Sequence, residues 1–149
     1  MWNAFAETTI SGGTGKGFGV SLLLFSLTPQ NAAMIELTTA VAMVRVSILY
    51  PSSPGARFDF RHYVETHMPM SIRLLSAHAG FRGVSVERGL NGATAGSPPA
   101  FIAMCHFLFV SAEDFLAAFL PHAEVLQGDM PNYTNIDPVI QFNQVLIAR

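Results

Sequence analysis

The sequence predicts an α+β domain over about residues 43–149, with element order β-α-β-β-α-β and a four-stranded antiparallel sheet. Three observations lead there. Four short stretches, at 44–50, 81–88, 101–110 and 139–147, have strand periodicity or strand-like apolar content. Helical signals follow the first and third of them, and Gly- and Pro-rich breakers separate the elements.

Val44, Val46, Ile48 and Tyr50 alternate with Arg45, Ser47 and Leu49, the period of a strand. Pro51-Ser52-Ser53-Pro54-Gly55 ends it. Residues 58–79 read as helix, because Phe60, Val64, Met68, Ile72 and Leu75 recur at spacings of three and four and form one apolar stripe. Pro69 lacks an N–H and clashes with the preceding turn, so it bends or restarts that helix. Gly80 reads as the helix stop. The second strand, 81–88, turns Val84 and Val86 to one face. Gly89, Gly92, Gly96 and Pro98 mark a hairpin loop before the third strand. Ser111 caps a second helix, with Glu113 and Asp114 in the first turn, where negative charge suits the helix dipole. Residues 128–138 read as a long irregular segment before the last strand.

This order is that of a ferredoxin-like fold, with both helices on one face of the sheet. In a monomer the other face meets water and reads polar. Here the third strand is apolar on both sides: Phe101, Ala103, Cys105, Phe107 and Phe109 on one, Ile102, Met104, Leu108 and Val110 on the other, with His106 among them. A strand apolar on both sides is covered on both sides. The simplest second cover is the sheet of another copy, giving a homodimer with a closed α/β barrel. Composition agrees, since 50% of the chain is hydrophobic and only 12% is charged, against roughly a quarter in ordinary domains.

The net charge of −2 with scattered Lys and Arg disfavours a nucleic-acid partner. No apolar run approaches the ~18 residues that span a bilayer. The lone Cys105 cannot form an internal disulfide, which fits a cytoplasmic location. Residues 1–42 stand apart, with Glu7, Lys16 and Glu36 as their only charges. Either Met43 is the natural start and 1–42 is upstream sequence, or the apolar run 20–27 adds an element to the domain. Much of 1–19 is expected to be poorly ordered. Gly13-Thr14-Gly15-Lys16-Gly17 is not a phosphate loop: Ile10 stands where the first Gly belongs, and Gly17 replaces the hydroxyl. A secretory leader is disfavoured, because no basic residue opens the chain.

The barrel interior is expected to be an apolar chamber with a few polar groups, the usual make-up of a small-molecule site. If Tyr50 and its alternates face the helices, Arg45, Ser47 and Leu49 face the chamber. By the same alternation Ser85, His106 and either Gln141 with Asn143 or Gln144 point inward. The first helix holds a second set: Tyr63 and His67 lie four apart, hence on one helix face. A histidine serves as acid or base near neutral pH, and a tyrosine beside it polarises a carbonyl oxygen. The bland alternative is that both rim the apolar stripe and bond a loop. His62, His67, His78, His106 and His122 make no metal pattern. Cys105 reads as a buried small hydrophobe. The segment from Asp129 to Asn135 is long, polar and aromatic. It either lines a site or serves as a structural arm.

Residues 44–149 resemble the EthD family of the dimeric α/β-barrel group. The resemblance rests on Val-Arg-Val-Ser-Ile-Leu-Tyr-Pro at 44–51, on Phe60, Tyr63, His67 and Pro69 in the pattern Phe-x-x-Tyr-x-x-x-His-x-Pro, and on Pro131-Asn132-Tyr133-Thr134. Met70 stands where a more usual member has Leu. The resemblance implies a small dimeric cytoplasmic protein without an obvious cofactor, acting on or holding a hydrophobic or aromatic molecule. Ether or aromatic degradation is the implied setting. Two readings follow. One is a cofactor-free oxidoreductase, isomerase or cyclase in which Tyr63, His67 and His106 are catalytic, and Arg45, Ser47, Tyr50, Phe60, Met68, Ser85 and Tyr133 bind ligand. The other is an accessory protein that holds a ligand for a separate oxidase.

Overall fold

Side-chain alternation along the strands decides which residues form the core of this computed structural model, which describes residues 43–148. The expectations for 1–42 lie outside the described residues. The strands are β1 (Val44–Pro51), β2 (Phe81–Arg88), β3 (Phe101–Phe109) and β4 (Val139–Gln144). They form one antiparallel sheet in the order β2-β3-β1-β4, the ferredoxin-like arrangement. Val46 sits opposite Phe107 and Ile48 opposite Cys105, so these side chains share a face. On that face Val46, Ala103, Cys105 and Phe109 are fully buried. Phe115 packs edge-on against Phe109 and Phe142 there, at 5.5 and 5.7 Å between ring centres. Burying each such side chain contributes about 1.5–3 kcal/mol.

The opposite face carries Leu49, Ile102, Met104 and Leu108, all only half-buried. Ser47 and Ser85 both lie opposite His106 on it, as the alternation predicts. Gln141 and Asn143 join them, whereas Gln144 pairs with Val44 and faces the helices. Among the described residues no helix is long and apolar enough to cross a membrane.

The first helical run differs from a plain α-helix. It consists of α1 (Phe60–His62), a π-helical turn (Tyr63–His67) and α2 (Met68–Leu75). Asp59 caps it, its Oδ1 accepting the His62 N–H at 3.0 Å. Pro69 falls in the first turn of α2, where its missing N–H costs nothing. Just upstream, the Met68 N–H bonds to the Tyr63 carbonyl, five residues back. One extra residue in a turn rotates the upstream helix by about 100°. The inward set is therefore Tyr63, His67, Met68, Ser71 and Leu75. Val64, expected in the stripe, is 54% exposed, and Ile72 flanks the inward face at 36%.

The second helical region starts as predicted. Ser111 Oγ accepts the Asp114 N–H at 3.0 Å and donates to Asp114 Oδ2 at 2.9 Å, opening α3 (Ala112–Phe119). A 3₁₀ turn, Leu120–His122, leads to α4 (Ala123–Gly128) and α5 (Met130–Tyr133). The stretch expected to be irregular is thus largely helical, with Pro131 seated in the first turn of α5.

Gly80 is not a left-handed helix cap, since α2 ends earlier, at Leu75, and Gly80 has no positive φ. It is a point of close approach. Its carbonyl accepts the Val110 N–H at 2.9 Å, and a Cβ there would lie 2.6 Å from Asp114 Cβ. The Ser111 cap holds Asp114 in place, so Gly80→Ala should destabilise the fold by about 1–3 kcal/mol, the usual cost of overpacking. Gly83→Ala, with nothing within 4 Å of a new Cβ, is the control. Urea denaturation of both variants checks this; equal midpoints would refute it.

Candidate functional site

Asp129, at the junction of α4 and α5, is the hub of the polar cluster on the helix side of the sheet. His67 Nδ1 lies 2.9 Å from its Oδ2. His62 Nε2 lies 3.0 Å from Oδ1 and 3.2 Å from Oδ2. Asn132 Nδ2 donates to Oδ1 at 2.7 Å. The π turn brings the two histidines to one carboxylate although they are five residues apart. Burial pushes the Asp129 carboxyl up, but the bonds from Asn132, His67 and His62 outweigh it and hold it below the usual range.

Burial also lowers the His67 pKa, against the opposing pull of Asp129. His67 is thereby favoured as neutral imidazole, with one ring proton. An ionised carboxylate only accepts, so that proton sits on Nδ1 and Nε2 keeps its lone pair. A carboxylate bonded to Nδ1 in this way has the geometry of a base–orienter pair.

Phenols surround the ring. Tyr63 stacks on His67 at 5.3 Å and 14°, and Tyr133 lies 4.6 Å from it at 53°. The Tyr50 and Tyr133 hydroxyls are 3.0 Å apart. Phe58 packs on Tyr50, Tyr63 and Tyr133, and Phe60 on Phe58. Arg88 places its guanidinium 4.5 Å over the Phe60 ring. Burial raises the pKa of all three tyrosines, Tyr50 to about 12, so they remain protonated donors at neutral pH. It also pushes the Cys105 thiol to about 12, which fits a packing role.

A strap closes the cluster. Arg57 Nη2 donates to the Pro131 carbonyl at 2.8 Å, and its backbone N–H donates to Asn135 Oδ1 at 2.7 Å. Asp59 N–H reaches the Tyr133 carbonyl at 2.7 Å, and Thr134 pairs with Phe58. His67 is left 8% exposed and Tyr63 1%. A surface depression lined by Pro51, Pro54, Ile136 and Asp137, among others, takes in no residue of the cluster.

The expected site residues therefore fall into two groups. Tyr50, Tyr63, His67, Met68, Tyr133 and, at the margin, Phe60 gather on the helix side. Arg45, Ser47, Ser85 and His106 lie on the other face of the sheet, where Ser47 Oγ is 2.8 Å from His106 Nδ1. His62, Phe58 and Glu87 carry no site role in the sequence reading, and Asp129 enters it only as the start of the segment 129–135. The five-residue spacing of His62 and His67 signals a shared face only once a π turn is foreseen. Among the described residues no group suited to a metal ion occurs.

Fold and cluster together define a small ferredoxin-like α+β protein with a buried histidine–carboxylate pair among tyrosines. The EthD domain model matches residues 56–137, and the chain belongs to that family. An EthD-like protein from Ralstonia eutropha is 44% identical, with a TM-score of 0.68 over 72% of this chain and 96% of that one. An ethyl tert-butyl ether (EthD) family protein from Bacillus halodurans is 18% identical, with a TM-score of 0.47 over 70% and 99%. SnoaB, a cofactor-independent oxygenase from Streptomyces nogalater, is 12% identical, with a TM-score of 0.42 over 71% and 93%. No curated protein matches the chain.

The lowered pKa of His67 makes stability depend on pH. Below the ordinary value of 6.5 the unfolded chain binds a proton that the folded chain resists, so stability rises with pH in that range. His67 thus contributes no penalty above 6.5 and a growing one as pH falls toward its folded value. Urea midpoints measured from about pH 7.5 down to 5 should fall more steeply for the wild type than for His67→Gln. Equal slopes would contradict the assignment.

Proposed function

We propose that this chain is a homodimeric, cofactor-independent catalyst acting on a small hydrophobic or aromatic molecule, with His67 as general base and Asp129 as its orienting partner. The observation that carries this reading is the 2.9 Å contact of His67 Nδ1 with Asp129, which leaves Nε2 unprotonated among buried phenols. In this reading Nε2 takes an acidic C–H or O–H proton from the substrate. Asp129 stabilises the resulting imidazolium, and a phenol, Tyr63 or the Tyr50–Tyr133 pair, donates to the oxygen on which charge develops. Returning the proton to another carbon gives an isomerisation or cyclisation. Oxidation instead uses molecular oxygen as acceptor of the substrate's electrons. Substrate reaches His67 when the strap over residues 129–135 opens.

The homodimer is supported by the half-exposed apolar side chains Leu49, Ile102, Met104 and Leu108 on one sheet face and by the low charge content. A second reading, an accessory protein that holds a hydrophobic intermediate for a separate oxidase, is favoured by the near-complete enclosure of Tyr63 and His67. Ether or aromatic degradation, the setting that the EthD resemblance implies, suits either reading.

The test is turnover in air of a panel of quinols, enones and lactones. His67→Ala should lose about 10²–10⁴-fold, the usual contribution of a general base. Asp129→Asn should lose activity in the same direction, both variants keeping the wild-type circular dichroism. Undiminished turnover in His67→Ala would sink the base assignment. Ligand binding without any turnover by the wild type would favour the accessory role.

A further inference from the structure

The open face of the sheet holds a second polar cluster that the His67 chemistry does not use. Gln141 Nε2 donates to Asn143 Oδ1. Asn143 Nδ2 lies 3.0 Å from Ser47 Oγ, 3.1 Å from the Arg45 carbonyl and 3.3 Å from the Gln141 carbonyl. Three acceptors around one nitrogen identify it as the amide NH₂. Ser47 Oγ is thus an acceptor toward Asn143, and its own proton is free for His106 Nδ1, 2.8 Å away. With the Ser47 proton donated to Nδ1, a neutral His106 carries its own on Nε2.

That Nε2 faces Glu87 Oε2 at 3.4 Å, too far for a well-formed hydrogen bond. Among the described residues Glu87 Oε2 is shielded from solvent yet has no hydrogen-bond donor. The chain of donors from Gln141 to His106 therefore ends on an N–H without a good acceptor, beside a carboxylate oxygen without a donor. One group completes both at once: a hydroxyl, which accepts from Nε2–H and donates to Oε2. Two bonds of about 2.8 Å meeting at a hydroxyl span roughly 4.6 Å. The present separation is 3.4 Å, so binding requires the half-exposed Glu87 side chain to turn aside and admit the hydroxyl. Met104 and Leu108 flank His106 on the same face, and Leu49 sits opposite Met104, so the ligand body beyond the hydroxyl meets apolar side chains.

We infer that His106 and Glu87 form a second small-molecule site, separate from His67, which takes an uncharged hydroxyl on an apolar body, an alcohol or a phenol. A carboxylate is repelled by Glu87, and a hydrocarbon leaves both polar atoms unpaired. The site belongs to one protomer and is closed further if a second copy covers the face.

The probe is phenol, titrated into the full chain while the His106 imidazole signals are followed by NMR. Sedimentation of the same samples reports the oligomeric state. Phenol should shift the His106 signals saturably, Glu87→Gln should weaken that binding at least about tenfold, as loss of a charge-assisted bond does, and His67→Ala should leave it unchanged. Benzene and benzoate should not reproduce the shift. The inference is overturned if benzene binds as well as phenol, if Glu87→Gln binds normally, or if the His106 signals do not move. A monomeric protein that still shows the phenol pattern would remove the dimer and keep this site. Should Glu87→Gln unfold, Ser47→Ala reads the same chain of donors, and its loss of binding is expected.

Discussion

The helical run that begins at Phe60 holds one residue more in its Tyr63–His67 turn than an α-helix would, and this extra residue positions the polar cluster on the helix side. Pro69 offers no N–H to the turn before it, and the Met68 N–H reaches back five residues to Tyr63. The helix upstream is rotated relative to the helix downstream. Tyr63 and His67 turn inward, Val64 turns out, and His62 and His67 converge on one carboxylate. An isolated π turn is less favourable than an α-turn and persists where other contacts compensate. Here the compensation is visible in the bond from His67 to Asp129 and in the stacking of Tyr63 on His67.

The sheet separates two sets of polar groups. On the helix side an anionic, half-buried Asp129 binds two histidines and the Asn132 amide. On the open side a neutral chain of donors crosses from β4 through β1 to β3 and ends at Glu87 on β2. His67 is held by an acceptor at Nδ1, and His106 takes the opposite tautomer where the Ser47 hydroxyl donates to its Nδ1. The same residue type is thereby prepared as a proton acceptor in one place and as a proton donor in the other.

Much of the fold was legible in the sequence because strand alternation is insensitive to detail. Val44, Val46, Ile48 and Tyr50 face the helices, and β2 and the Ser111 cap fall where periodicity and capping chemistry put them. The helix interior was less legible. A stripe drawn at 3.6 residues per turn placed Val64 inside, since a π turn leaves no mark in composition beyond Pro69 itself. Gly80 was read through backbone conformation, whereas its role is the approach of Asp114, a contact 34 positions away that no local pattern encodes. The site was half legible. Tyr63 and His67 stood out by type and spacing, and the segment from Asp129 to Asn135 by its length. Joining them required tertiary contacts across 62 positions of sequence.

The central claim is that His67 is a neutral base with its proton on Nδ1 and a free Nε2. Nitrogen-15 NMR of the His67 imidazole near neutral pH tests it most directly. A protonated Nδ1 resonance and an unprotonated Nε2 resonance are expected, with the two environments exchanged or averaged in Asp129→Asn. A proton on Nε2, or a doubly protonated ring at that pH, would contradict it.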